Sequence, residues 1–349
     1  MKRKIRCLGL FLAASMFAMS LLALAGCDTA GNEQVELTLA HFFSAAHPAE
    51  TVLIEGWAEA LSEATDGRVT IESYPGGTLL AAADIYNGVV TGVADIGLSC
   101  FAYTPGRFPV LEAFELPGIT YLNSRVASMV AWEGIQTLNP PEVQDTHLLM
   151  VLATGPGDIF SRSPIRSLDD LQGMEIRATG ISTDTLTALG GVPVGMPQPD
   201  TYDSLQRGVV QGNLSPLEVL QGWNHAEVTS YITMTPFLYN TLFFVTMNLD
   251  VWNGLSEDLQ QTITEVTERF HEETAAALWD TQNESALIYA VEEHGLEVIN
   301  LDDAETARWI EKVQPIQDEY NQKLAGLDID TDPLALIHEL ADKYNAMYD

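Results

Sequence analysis

Apolar and polar side chains alternate along Val35-Glu36-Leu37-Thr38-Leu39 and again along Val69-Thr70-Ile71-Glu72-Ser73-Tyr74, the period of strands that bury one face. Between them Val52, Leu53, Trp57, Ala60 and Leu61 recur at helical spacing over 51–64, and Asp66-Gly67 marks the stop. Pro75-Gly76-Gly77 halts the second strand, a helix is expected over about 81–91, and Val93-Ala94-Asp95-Ile96-Gly97-Leu98 reads as a strand buried on both faces. Strand, helix, strand, helix, strand describes an α/β lobe with parallel pairing.

The same grammar returns downstream, with strands expected over 148–153 and 174–178, a short turn at 168–171, and helices over 183–189 and 200–208. From Ser256, a candidate N-cap, helical periodicity runs to about Glu293 without a proline. At 1.5 Å per residue this is either one helix of roughly 57 Å, long enough to cross two lobes, or two helices bent near Asn283. Further helices are expected over 304–324 and 333–347. No repeat or Pro/Gly/Ser-rich linker divides the chain, so two lobes would be joined by several crossings.

Composition changes the picture at the N-terminus. Lys2-Arg3-Lys4 precedes an apolar stretch over 7–25, the layout of a secretory signal. Its length alone does not exclude a membrane span. Leu24-Ala25-Gly26-Cys27 resembles a lipoprotein processing box, so 1–26 is expected to be removed, Cys27 lipidated, and 27–34 a polar tether. The chain carries 49 acidic and 16 basic residues, a net charge of −33. Removal of 1–26 takes four of the basic residues and leaves −37, with Lys312, Lys323 and Lys343 as the remaining lysines. Nucleic acid and anionic lipid are thereby poor partners. Cys100 is then the one unmodified cysteine, expected buried, and no disulfide is available.

Catalytic constellations are missing. The seven histidines (His41, His47, His147, His225, His271, His294, His338) include no pair at metal-ligand spacing. No glycine-rich phosphate loop and no serine elbow occurs. No enzyme, cofactor or metal is expected.

Several ordered segments resemble the solute-binding proteins of TRAP transporters: Tyr74-Pro75-Gly76-Gly77-Thr78-Leu79, Asp95-Ile96-Gly97, Phe114-Glu115-Leu116-Pro117, Ser163-Pro164-Ile165, 169–177, and the stretch from Tyr202 through Gly212. Asn248, Trp252 and Leu255 then precede the long helical region, and the resemblance spans about 35–325. It implies a two-lobed Venus-flytrap α/β fold with a long helix spanning both lobes. Lobe I would be 35–154 plus 241–280, and lobe II 155–240 plus 281–349. It also implies an extracytoplasmic, periplasmic-side receptor that delivers an organic acid to small and large integral-membrane subunits. The position of Arg177 implies an arginine that grips the ligand carboxylate bidentately.

Departures narrow the ligand. Where relatives for sialic-type acids carry further anchors, this chain has Gly157, Tyr103 and, beside Pro216, Ser215. One carboxylate keeps a counterion and a second does not. Phe42, Phe101, Tyr103, Phe160, Trp223 and Phe237 are candidates for an apolar or aromatic wall, and His47 for a pocket contributor. A monocarboxylate with an apolar or aromatic body is the expected ligand. The competing readings are a receptor of an ATP-driven or tricarboxylate-type importer, a sensory receptor, and an exported lipoprotein enzyme.

Overall fold

The computed structural model describes residues 34–324 and 332–349; the signal, Cys27 and the tether up to residue 33 lie outside them. Its strands are β1 (Val35–His41), β2 (Val69–Tyr74), β3 (Ile96–Cys100), β4 (Thr146–Ala153), β5 (Asp158–Ser161), β6 (Glu175–Ala178), β7 (Val192–Gly195), β8 (Gly212–Ser215), β9 (Tyr231–Met234), β10 (Leu242–Asn248) and β11 (Glu297–Asn300). Those of the described residues form two sheets, ordered β2-β1-β3-β10-β4 and β11-β9-β5-β8-β6-β7.

The expected parallel unit is present: β1 pairs in parallel with β2 and β3. The third strand starts three residues later than its apolar run, because Val93 is exposed while every residue of β3 is buried. A Cβ at Gly97 would stand 2.6 Å from Ile85 Cγ2 and 2.7 Å from Val89 Cγ2, so its absence lets the helix Ile85–Val90 lie on the sheet. The sequence pattern did not reveal β10. Its seven residues are all buried and show no alternation, and it inserts antiparallel between β3 and β4 after the chain has left the second sheet.

Six helices of ten or more residues occur among the described residues: α1 (Glu55–Ala64), α2 (Ser124–Leu138), α3 (Glu257–Glu273), α4 (Leu278–Glu292), α5 (Asp303–Leu324) and α6 (Pro333–Tyr348). Trp57 of α1 is fully buried and its indole N–H donates to Thr267 Oγ1 of α3 at 3.0 Å. Trp57→Ala would cost about 3–5 kcal/mol.

The long helical region spans both lobes but is interrupted. α3 packs on α1 and β4, α4 packs on the turn 219–222 beside the second sheet, and a 3-10 turn Ala275–Ala277 separates them. The break lies at Thr274 (φ −127°, ψ −58°) rather than near Asn283. Tertiary anchors fix it where no proline or glycine would: His271 Nε2 donates to Val151 O at 2.7 Å, and Asp280 Oδ1 accepts from the Ser124 N–H at 2.6 Å, capping α2. Burial holds His271 down at about 4, so it is neutral.

α5 also bridges. It packs against the helix Ser182–Ala188 on the second side, while Gln317 Nε2 donates to Pro117 O at 2.7 Å on the first. α6, expected with lobe II, packs instead on α2 of the first side.

Candidate ligand-binding site

Two chain segments that cross between the sheets are paired with each other. Thr154 N–H donates to Thr241 O at 3.1 Å, Gly157 N–H to Tyr239 O at 3.1 Å, and Gly155 N–H to Asn240 Oδ1 at 3.1 Å. Thr154, Tyr239 and Thr241 also form the floor of a cavity between the sheets. Phe42, Phe43, Tyr103 and Phe243 enter it from the first sheet's side, and Arg177, Ser215, Glu218 and Trp223 from the second. The cavity is largely filled by its own side chains, with room for about 20 Å³, too little for a ring-sized molecule as the residues stand.

Arg177 lies on β6 and is 2% exposed. Its Nε donates to Met196 O at 3.0 Å, and Nη1 donates to Ser215 Oγ at 3.0 Å and to Asn213 Oδ1 at 3.5 Å. No carboxylate lies within 4.0 Å of it among the described residues, and Nη2 keeps both N–H groups without a described protein partner. A buried guanidinium without a counterion is expensive, which marks Arg177 as a candidate anion partner. Because Nε and Nη1 are engaged, the expected two-nitrogen grip is only half available as the residues stand.

A polar relay holds the guanidinium in place. Asn213 Oδ1 accepts from Arg177 and Ser215, so Asn213 Nδ2 donates to His225 Nδ1 at 3.2 Å. His225 Nε2 then carries the ring proton, so the Gln198 side-chain amide, whose Nε2 stands 3.1 Å away, must turn its oxygen to that side to accept. Burial, with the Arg177 charge beside it, pushes His225 down to about 3, so it is a neutral spacer.

The aromatic wall is partly the expected one. Phe42 stands 5.5 Å from Tyr103 and 6.0 Å from Trp223, ring centre to ring centre, and Ser215 holds Arg177. Three of the wall candidates lie elsewhere. Phe160 is paired with Asn213 and so shares its face of the sheet, but the turn 219–222 covers it and it packs with Val219, Leu220 and Ile232. Phe237 packs on the main core outside the cavity. Phe101 likewise lies in the core, 4.8 Å from Phe108. His47 stands behind the cavity, bonded to Glu218 at 3.2 Å.

Pattern reading missed Phe43, Gln198, Asn213, Glu218, His225, Tyr239 and Phe243. Glu218 follows Pro216 by two positions, the one local signal that was available. Cys100 also lines the cavity; burial pushes its thiol well above the usual range, so it is inert. Gly157 explains a departure noted above: a Cβ there would stand 2.4 Å from Tyr239 Cδ1 and 2.9 Å from Ser215 O, so Tyr239 occupies the space a longer side chain would need.

A family model described as bacterial extracellular solute-binding protein, family 7, matches residues 39–323. The chain belongs to this family. Family 7 proteins are receptors, not enzymes, which removes the exported enzyme from the competing readings, and both sequence and structural relatives place the chain among TRAP solute-binding proteins. A TRAP periplasmic solute-binding protein from Desulfovibrio salexigens, crystallised as an open complex, is 32% identical, with 90% of this chain and 97% of that one covered at a TM-score of 0.77. A Bordetella bronchiseptica family member holding (R)- and (S)-mandelate is 28% identical, covering 90% and 99% at 0.83. A marine metagenome member specific for aromatic acid ligands, holding 3-hydroxybenzoate, is 27% identical, covering 91% and 100% at 0.83. The Roseobacter denitrificans solute-binding protein RD1_1052 is 29% identical over 214 residues, 59% of this chain and 64% of that one.

Proposed function

We propose that this receptor binds an organic monocarboxylate with an aromatic or apolar body, closes its lobes over it, and delivers it to the small and large integral-membrane subunits of a TRAP carrier. One observation carries the reading: Arg177 is buried without a carboxylate partner among the described residues and keeps the Nη2 donors, inside a cavity walled by Phe42, Tyr103, Trp223 and Phe243. A ligand carboxylate takes Nη2 and draws Nη1 from its 3.5 Å contact with Asn213, while the rings cover the ligand body. The aromatic acids held by the Bordetella and marine relatives fit the same chemistry.

In this reading the lobes are 35–154 with 241–280 and 155–240 with 281 onward, α6 riding on the first. Cys27 carries a lipid that holds the receptor on the periplasmic side of the membrane. Calorimetric titration of ligand-stripped protein tests the binding: aryl monocarboxylates should bind and succinate or sialic acid should not. The reverse order would sink it. Release of a Cys27→Ser variant from the membrane fraction tests the anchor.

A further inference from the structure

The cavity contains a second charged side chain that a simple anion site would not want. Glu218 is 5% exposed and lines the same cavity as Arg177, yet the two do not pair. Its position is firmly set. The Glu218 N–H donates to Asn283 Oδ1 of α4 at 2.9 Å, and Oε2 lies 3.2 Å from His47 Nε2. The direction of that bond follows from the other ring nitrogen: His47 Nδ1 accepts from the Ala49 N–H at 3.0 Å, so Nε2 bears the proton and donates to Glu218. One carboxylate oxygen is thus held from the opposite lobe, and Oε1 has no hydrogen bond from a described residue.

An acceptor-only group facing an anion site repels the part of the ligand nearest to it unless that part is a donor. Trp223 adds the complementary demand. It lines the same cavity, and its indole N–H is buried with no hydrogen-bond partner among the described residues. An ammonium group would donate to Glu218 but leave the Trp223 N–H unmatched. A hydroxyl answers both, donating its proton to Glu218 and accepting from Trp223.

Building on the assignment of Arg177 to the ligand carboxylate, we propose that Glu218 and Trp223 form a specificity subsite for a hydroxyl group. The preferred ligand is a hydroxylated aromatic monocarboxylic acid, and Glu218 rejects dicarboxylates by placing like charge against the second carboxylate.

Calorimetric titration of the ligand-stripped receptor with matched pairs tests this: benzoate against the three hydroxybenzoates, phenylacetate against mandelate, and isophthalate as the dianion. In the wild type at least one hydroxylated acid should bind about tenfold or more tightly than its parent, as a hydrogen bond to a charged group implies, and isophthalate should not bind. Glu218→Gln exchanges an acceptor oxygen for an amide donor. The ratio of hydroxylated to parent affinity should fall below about threefold, whatever change the two acids share. Trp223→Phe, which keeps a ring and removes the N–H, should lose part of the advantage. Equal wild-type affinities within every pair overturn the subsite without any variant. A Glu218→Gln loss shared equally by hydroxylated and parent acids also overturns it, because Glu218 would then be only an interlobe latch with His47. If no aryl acid of either kind binds the wild type, the Arg177 reading falls first and takes this one with it.

Discussion

Tyr103 and Gln198 meet across the cleft: the backbone N–H of Gln198, on the second sheet's side, donates to the Tyr103 hydroxyl oxygen at 3.0 Å. Gln198 in turn faces His225, whose other nitrogen accepts from Asn213, the neighbour of Arg177. With the Gln198 amide oxygen turned to His225 Nε2, the interlobe contact and the Arg177 guanidinium belong to one polar chain. Tyr103→Phe should keep the ring wall and remove the acceptor. Losing one net hydrogen bond of about 1 kcal/mol should speed ligand dissociation about fivefold with little change in the association rate, which stopped-flow fluorescence would read.

Arg177→Met should abolish binding of every carboxylate ligand and erase the thermal shift, which for the wild type is worth about 2.7 kcal/mol at one hundred times the dissociation constant. The ligand-free variant should melt no lower than the wild type, since a buried charge without a carboxylate partner has been replaced by an apolar chain of similar length. A variant that melts lower and still binds would remove Arg177 from the site.

Gly157→Ala should weaken both binding and stability, because its methyl group would stand 2.4 Å from Tyr239 Cδ1, at the cavity, and 2.9 Å from the Ser215 carbonyl oxygen of the backbone. Pairing with Tyr239→Ala should restore part of the lost affinity in a double-mutant cycle.

Stability should fall as pH rises from about 6.5 to about 8. Burial pushes Glu115 up to about 8 against the opposing Leu242 N–H, and Asp158 up to about 7 against the Thr235 N–H. Both carboxyls are ionised in the unfolded chain throughout this range, so the native state holds more protons and loses its advantage as they leave, by roughly 2 kcal/mol together. Between about 6.5 and 4.5 the buried histidines oppose this trend: His147 and His271, both held down to about 4 by desolvation, bind protons more readily unfolded and offset what the two carboxyls still gain as pH falls, so the profile levels off on the acid side. Glu115→Gln should flatten the alkaline limb of the melting profile.

Melting temperature should also rise with salt, since 49 carboxylates face 16 basic residues and added ions shorten their mutual repulsion. A flat response between low and molar salt would count against an acidic surface suited to saline surroundings.

Where a local pattern sets an element, the sequence showed it: β1, α1 and β2 follow from alternation and helical spacing, and Arg177 from its place in an ordered motif. Elements set by distant partners were hidden. The break before Ala275 depends on Val151 and Ser124, and β10 on the gap between β3 and β4. The same holds for the site. Phe42 and Tyr103 were legible because the resemblance pointed to them, whereas Glu218 and His225 acquire meaning only from His47 and Gln198, 171 and 27 positions away.

The paired crossings at Thr154–Gly157 and Tyr239–Thr241 serve at once as tether and as cavity floor. Occupancy and bending therefore share a single coordinate. On the proposed seat, a membrane partner that pries the sheets apart would pull on the floor beneath the ligand, and work done at the receptor surface would weaken its affinity.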